Sequence, residues 1–164
     1  MGGISAKIIF LIFHRFNTTS NDFLFINLEI RYHLMKKIEV VAAVIYHNNK
    51  ILCVQRGDNK YDYIAFKYEF PGGKVEVGET NEDAIKREIL EELNLEITID
   101  SQFITVNHEY PDFVLVMHSF ICSSTTNELQ LTEHVAYKWL DKSELKPLDW
   151  AAADVPIVDK LIAS

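Results

Sequence analysis

Gly73-Lys74-Val75-Glu76-Val77-Gly78-Glu79-Thr80-Asn81-Glu82-Asp83-Ala84-Ile85-Lys86-Arg87-Glu88-Ile89-Leu90-Glu91-Glu92-Leu93-Asn94-Leu95 is the stretch around which the rest of the chain can be ordered. Its second half predicts a helix from Thr80 to Leu93. Thr80 is a capping residue with Asp83 at the reciprocal position, and the early acids face the positive end of the helix dipole. Ile85, Ile89 and Leu93 share one face, to be buried. Glu88, Glu91 and Glu92 stand at i, i+3 and i+4, and at about 100° per residue they fall within a neighbouring arc. Like charges on adjacent turns repel, by a few tenths of a kcal/mol per exposed pair. A divalent cation would turn that repulsion into binding, and Mg²⁺ in particular takes oxygen ligands and shares them with phosphates. The plain alternative for an isolated E-x-x-E-E is a solvated acidic face.

Upstream, the run Ile38 to Tyr46 is rich in β-branched residues and predicts a buried strand. His47-Asn48-Asn49-Lys50 is a turn, and Ile51 to Gln55 returns. Gly57 to Lys67 is a polar and aromatic loop, and Pro71-Gly72-Gly73 interrupts regular structure. Downstream, strands are expected at Ile97–Val106, Phe113–Cys122 and Val135–Leu140. A last amphipathic helix is expected from Asp154 to Ala163, with Pro156 in its first turn. Hairpins combined with two helices predict an α+β sandwich rather than a parallel doubly wound fold.

The chain has 164 residues, enough for one domain, with a formal net charge of -8. That balance argues against a nucleic-acid polymer or an anionic membrane as partner. It leaves room for an anionic small molecule, because a bound cation reverses the local sign. Cys53 and Cys122 each sit in an apolar run without a C-x-x-C partner, which predicts buried free thiols in a reducing, cytoplasmic compartment. Ile8 to Phe13 is too short an apolar run to span a membrane, given the ~20 residues required. Met35-Lys36-Lys37 opens the first clean strand. Residues 1–34 are therefore expected to be an extension outside a domain formed by residues 35–164.

The quoted stretch resembles the Nudix box, G-x5-E-x7-R-E-U-x-E-E-x-G-U with U aliphatic, at every fixed position except Asn94. There the family has glycine in a left-handed helix end, and Asn tolerates that conformation best after Gly. Resemblance runs from about Ile38 to Leu161 and is nearest to the MutT-like branch. It is carried also by Glu69-Phe70-Pro71-Gly72-Gly73-Lys74, Tyr110-Pro111-Asp112 and Ala153-Asp154-Val155-Pro156-Ile157. It implies an α/β/α sandwich around a mixed sheet, Mg²⁺ (or Mn²⁺ in its place) as cofactor, and a nucleotide as substrate. The assembly is expected to be a monomer or homodimer.

The resemblance assigns Glu88, Glu91 and Glu92 as metal ligands, with the Gly72 carbonyl and, from a distant loop, Glu133. Arg87 matches the arginine that orients the box glutamates, its alternative being an ordinary i,i+4 pair with Glu91. Glu79 matches a supporting loop carboxylate or, alternatively, a helix-start acid. Catalytic roles fall to Glu92, Glu133 and Arg87, with Glu92 and Glu133 both open as proton acceptor. Lys74 matches a phosphate contact. Arg56, Phe70 and Asp154 match the nucleobase pocket, although Phe70 could be core and Asp154 a helix cap. An ionised Asp154 would only accept hydrogen bonds, favouring cytosine amine or a guanine N–H edge over uracil and thymine, whereas a raised pKa would let it donate instead and blur that ranking. The activity implied is hydrolysis of a nucleoside triphosphate to monophosphate and pyrophosphate, on CTP/dCTP-type or 8-oxo-dGTP substrates. Rival readings are an ADP-ribose or ADP-sugar hydrolase, on the position of Pro111, and a non-catalytic nucleotide-binding module.

Overall fold

The computed structural model describes residues 35–164. The expected extension at residues 1–34 lies outside the described residues. Strands β1 (Lys36–His47), β2 (Lys50–Arg56) and β3 (Tyr68–Glu69) precede helix α1 (Asn81–Leu93). Strands β4 (Thr98–Glu109), β5 (Phe113–Ser123) and β6 (His134–Leu140) follow, then the short α2 (Lys142–Leu145) and the final α3 (Val155–Ala163). The sheet runs β3-β2-β1-β5-β4, with β6 also paired to β2. β1 and β5 are parallel, from Lys36 opposite Phe113 to Tyr46 opposite Ser123, and the other pairings are antiparallel. This is a mixed sheet, as expected.

Strand alternation divides β1 between two cores. Val41, Ala43 and Ile45 face Ile85, Ile89 and Leu93 of α1. Ala42 and Val44 face the opposite way, into a cluster with Phe70, Trp150, Ile157 and Leu161. Helices thus cover both sides of the sheet, and β1 is apolar on both faces because both are buried. Cys53 and Cys122 are buried and free. Burial holds each thiol up at about 12.

Two differences from expectation have local causes. β4 continues through Asn107-His108-Glu109 because those residues pair with Val116-Leu115-Val114 across the hairpin. The short α2 was not foreseen, although Asp141-x-x-Glu144 is a capping-box pattern. The Asp141 N–H donates to Glu144 Oε2 at 2.9 Å.

Candidate active site

Helix α1 begins where Thr80 Oγ1 accepts from the Asp83 N–H at 3.1 Å. The Thr80 hydroxyl in turn donates to Asp83 Oδ2 at 2.7 Å. The helix ends at Asn94, in the left-handed region at φ 48° and ψ 41°, its N–H donating to the Leu90 carbonyl at 3.0 Å. The asparagine does the work expected of glycine there. Between these caps the buried face is Ala84, Ile85, Ile89, Glu92 and Leu93, so one glutamate of the acidic arc is drawn into the apolar edge.

Arg87 gathers the other carboxylates. Its guanidinium donates to Glu79 through Nε and Nη2, both at 2.9 Å. Nη1 donates to Glu88 Oε1 at 2.9 Å and Glu91 Oε2 at 3.2 Å, while Nη2 also reaches the Lys74 carbonyl at 3.0 Å. The two-pronged bond to Glu79, then Glu88 and Glu91, raise the arginine pKa, and Arg87 in turn holds Glu79 below its ordinary value. Glu79 is therefore more than a helix-start acid, and Arg87 more than one partner of an i,i+4 pair. The Lys74 side chain is exposed beside this network.

The Pro71-Gly72-Gly73 segment lies along β1. The Val41 N–H donates to the Gly73 carbonyl and the Ala43 N–H to the Pro71 carbonyl, both at 2.8 Å. Alternation turns the intervening Gly72 carbonyl away from the strand. Gly72 has φ +152°, and a Cβ there would come within 2.9 Å of the Ala42 Cα. A Cβ on Gly73 would collide with the Glu88 carboxylate. The glycines let backbone approach both the strand and the helix glutamates.

Glu92 is 7% exposed, and its Oε2 is buried without a hydrogen-bond partner. Burial first, then Glu133, Glu69 and Glu88, push its carboxyl up to about 7, with His134 opposing. Glu92 and exposed Glu133 line one polar cleft of about 190 Å³ with Arg56, Asp58, Glu69 and His134. Sequence reasoning passed over Glu69 and His134 as site residues. His134 Nε2 lies 2.9 Å from Glu69 Oε1, and Arg56 Nε donates to Glu69 Oε2. The register slip at Gln55/Arg56 opposite His134 re-aims that pair. A lone histidine at the head of a strand carries no sequence signal of this.

Arg56 and Glu69 also border a second, largely apolar cavity of about 110 Å³, lined by Phe70, Tyr110, Phe113 and Met117, with Asp154 among its walls. Phe70 stacks on Trp150 at 4.9 Å between centroids, so it is core and pocket wall together. Asp154 occupies the cap position of α3 but makes no side-chain cap bond. Its Oδ1 accepts instead from the Phe70 N–H at 2.9 Å. Burial, and then Glu69, raise its pKa well above the ordinary aspartate value, with the Phe70 N–H and Arg56 opposing. The upward shift favours the neutral carboxyl, the form that can donate as well as accept.

The donor set suits a hard cation: Glu88 is mostly buried, Glu91 exposed, and Glu92 offers an unpartnered buried oxygen. Among the described residues no group of His, Cys, Asp and Glu side chains is gathered closely enough to hold a metal alone.

The NUDIX domain model matches residues 36–161. The chain belongs to the Nudix family. Among curated Nudix relatives, the CTP pyrophosphohydrolase of Escherichia coli K12 is 35% identical over 129 residues, covering 79% of this chain and 94% of that one. The 8-oxo-dGTP diphosphatase of the same organism is 31% identical over 128 residues, covering 77% and 98%. Among solved structures, the E. coli ORF135 protein superposes with TM-score 0.67 at 35% identity, covering 79% of this chain and 91% of that one. This protein is a Nudix hydrolase, an enzyme of the MutT-like kind acting on nucleotides. Nudix hydrolases generally use divalent metal ions such as Mg²⁺. Among the described residues no helix is long and apolar enough to cross a membrane.

Proposed function

We propose that this enzyme is a Mg²⁺-dependent nucleoside triphosphate pyrophosphohydrolase that clears CTP/dCTP-type nucleotides or 8-oxo-dGTP from the nucleotide pool. The observation that carries the reading is the adjacency of the two cavities. A polar cleft with Glu92 and Glu133 meets an apolar cavity with Asp154, and Arg56 and Glu69 line both. A triphosphate in the first and its base in the second would place a phosphoanhydride bond against the helix glutamates.

Glu88, Glu91 and Glu92, with the Gly72 carbonyl and Glu133, would hold Mg²⁺ alongside the phosphates. When bound, the cation polarises phosphoryl oxygens and makes water a better nucleophile. Arg87 fixes Glu88 and Glu91 and ties them to the loop that carries Gly73. Glu133, exposed on the facing wall, takes the proton from the attacking water, while buried Glu92 is the carboxylate most in need of a cation. Water adds to a phosphorus of the triphosphate, the bridging bond breaks, and monophosphate and pyrophosphate leave. Arg56 and Lys74 supply positive charge beside the phosphates, and Phe70 and Asp154 meet the base.

A nucleotide panel with Mg²⁺, including ADP-ribose, followed by ion-exchange separation of products, tests this. Monophosphate with pyrophosphate from a triphosphate is expected. Faster turnover of ADP-ribose than of any triphosphate, or release of inorganic phosphate alone, would overturn the assignment.

A further inference from the structure

The loop at residues 57–67, between β2 and β3, carries an aromatic cluster that the reaction above does not use. Tyr63 stacks on Tyr61 at 5.3 Å and on Tyr110 at 5.2 Å between centroids, and Tyr61 leans on Phe113 at 5.6 Å. The Tyr63 hydroxyl donates to Asp112 Oδ2 at 2.8 Å. This clasp joins the loop to the β4–β5 turn, a segment distant from it in sequence.

The clasp bears on the apolar cavity. Ile64, the neighbour of Tyr63, lines it, as do Tyr110 and Phe113. The Ile64 and Ala65 N–H groups both donate to the Tyr61 carbonyl, at 3.0 and 3.1 Å, so this part of the loop moves as a unit. The cavity holds about 110 Å³, well below the roughly 300 Å³ at the small end of ligand pockets. A base that enters it fully must therefore displace a wall. The walls at Val40–Ala42, Leu115 and Met117 belong to β1 and β5, which are tied along their parallel pairing. The loop wall meets the β4–β5 turn through an exposed hydrogen bond and stacked rings rather than a strand ladder, so it yields first. The displacement grows with the size of the base.

We infer that the Tyr63–Asp112 clasp sets the size of the base pocket and makes the enzyme favour single-ring over two-ring bases. The inference rests on the triphosphate reading above and narrows its substrate class to pyrimidine nucleotides. Tyr63 is a positioning residue in this scheme, acting through Ile64 and Tyr110.

The test compares kcat/KM for CTP and dCTP with that for GTP, dGTP and 8-oxo-dGTP in wild type and variants. The wild type should prefer the pyrimidines. Tyr63→Phe keeps the ring and removes the bond, and should lower the pyrimidine-to-purine ratio roughly two- to tenfold. Asp112→Ala should lower it equally, and the double variant no further, because both remove one interaction. Asp112→Asn retains an acceptor and should keep the wild-type ratio. Purine preference in an active wild type, an unchanged ratio in Tyr63→Phe, or additive losses would overturn the clasp and leave the triphosphate reading standing. A wild type inactive on every triphosphate would instead remove the underlying reading, and the clasp with it.

Discussion

Gly73→Ala separates the needs of the fold from those of the chemistry. An added methyl would lie within 2.6 Å of Glu88 Oε1, and nearer still to the rest of that carboxyl, where ordinary contact begins at 3.4 Å. The backbone cannot retreat easily, because the Gly73 carbonyl is bonded to the Val41 N–H at 2.8 Å. The end of the Glu88 side chain moves instead, by about 1 Å, and displacements of that size at a reacting centre can lower rates about 10²-fold. Stability should change by no more than about 1 kcal/mol, since alanine restricts the unfolded chain and φ at Gly73 is not positive. Steady-state hydrolysis with Mg²⁺ and a thermal melt on the same preparation read both quantities. A variant that melts like wild type and retains kcat/KM within about threefold would refute the placement of Glu88 in the site. Gly72→Ala is the contrast: its methyl would overlap the Val41 carbonyl oxygen and lie 2.9 Å from the Ala42 Cα with φ at +152°, and about 2 kcal/mol or more of stability should be lost.

Glu92→Gln should raise the melting temperature measured in EDTA, because it replaces a desolvated carboxyl, while turnover with Mg²⁺ falls by orders of magnitude; a lower melting temperature in EDTA would contradict the burial argument. Asp154→Asn should stabilise more as pH rises. A carboxyl whose folded pKa is raised contributes its full stability below its unfolded pKa and loses it as pH climbs toward the folded value, so the wild-type melt should fall above about pH 4 relative to the variant. A gap independent of pH would show Asp154 to be free to ionise. Cys53 and Cys122, each with a thiol near 12, should resist a thiol reagent at pH 8 until the protein is denatured, which an absorbance assay measures directly.

The parts of this fold that were legible in the sequence are those governed by local periodicity. The run Ile38 to Tyr46 is a strand and Thr80 to Leu93 a helix because burial and capping act over one or two turns of chain. Asn94 could be read because left-handed backbone has few occupants. The glutamates proposed here as metal ligands stand out only when spacing is joined to a family resemblance, since the spacing alone also fits a solvated face. What escaped depends on long-range register. Glu69 and His134 meet because β6 and β3 flank opposite sides of β2, and the slip at Gln55/Arg56 turns them inward. The direction of the Asp154 pKa shift is also set by long-range contacts. Its environment comes from Phe70 and Glu69, residues far away in sequence. Asp112 stood out only as part of Tyr110-Pro111-Asp112, and its bond to Tyr63 gave no sign, because the β4–β5 turn lies beside that loop only in the fold.

The parallel pairing of β1 with β5 also governs how the molecule is made. β1 is the centre of the sheet, yet its long partner is synthesised only after β2, β3, α1 and β4 have left the ribosome. Closing so large a loop precedes the reward of the contacts it brings, which slows folding. Until then, one edge of a doubly apolar strand stands open to any other unpaired strand in solution. Refolding yield should therefore fall steeply with protein concentration, and chaperone capture should be strongest on nascent chains that end before Phe113.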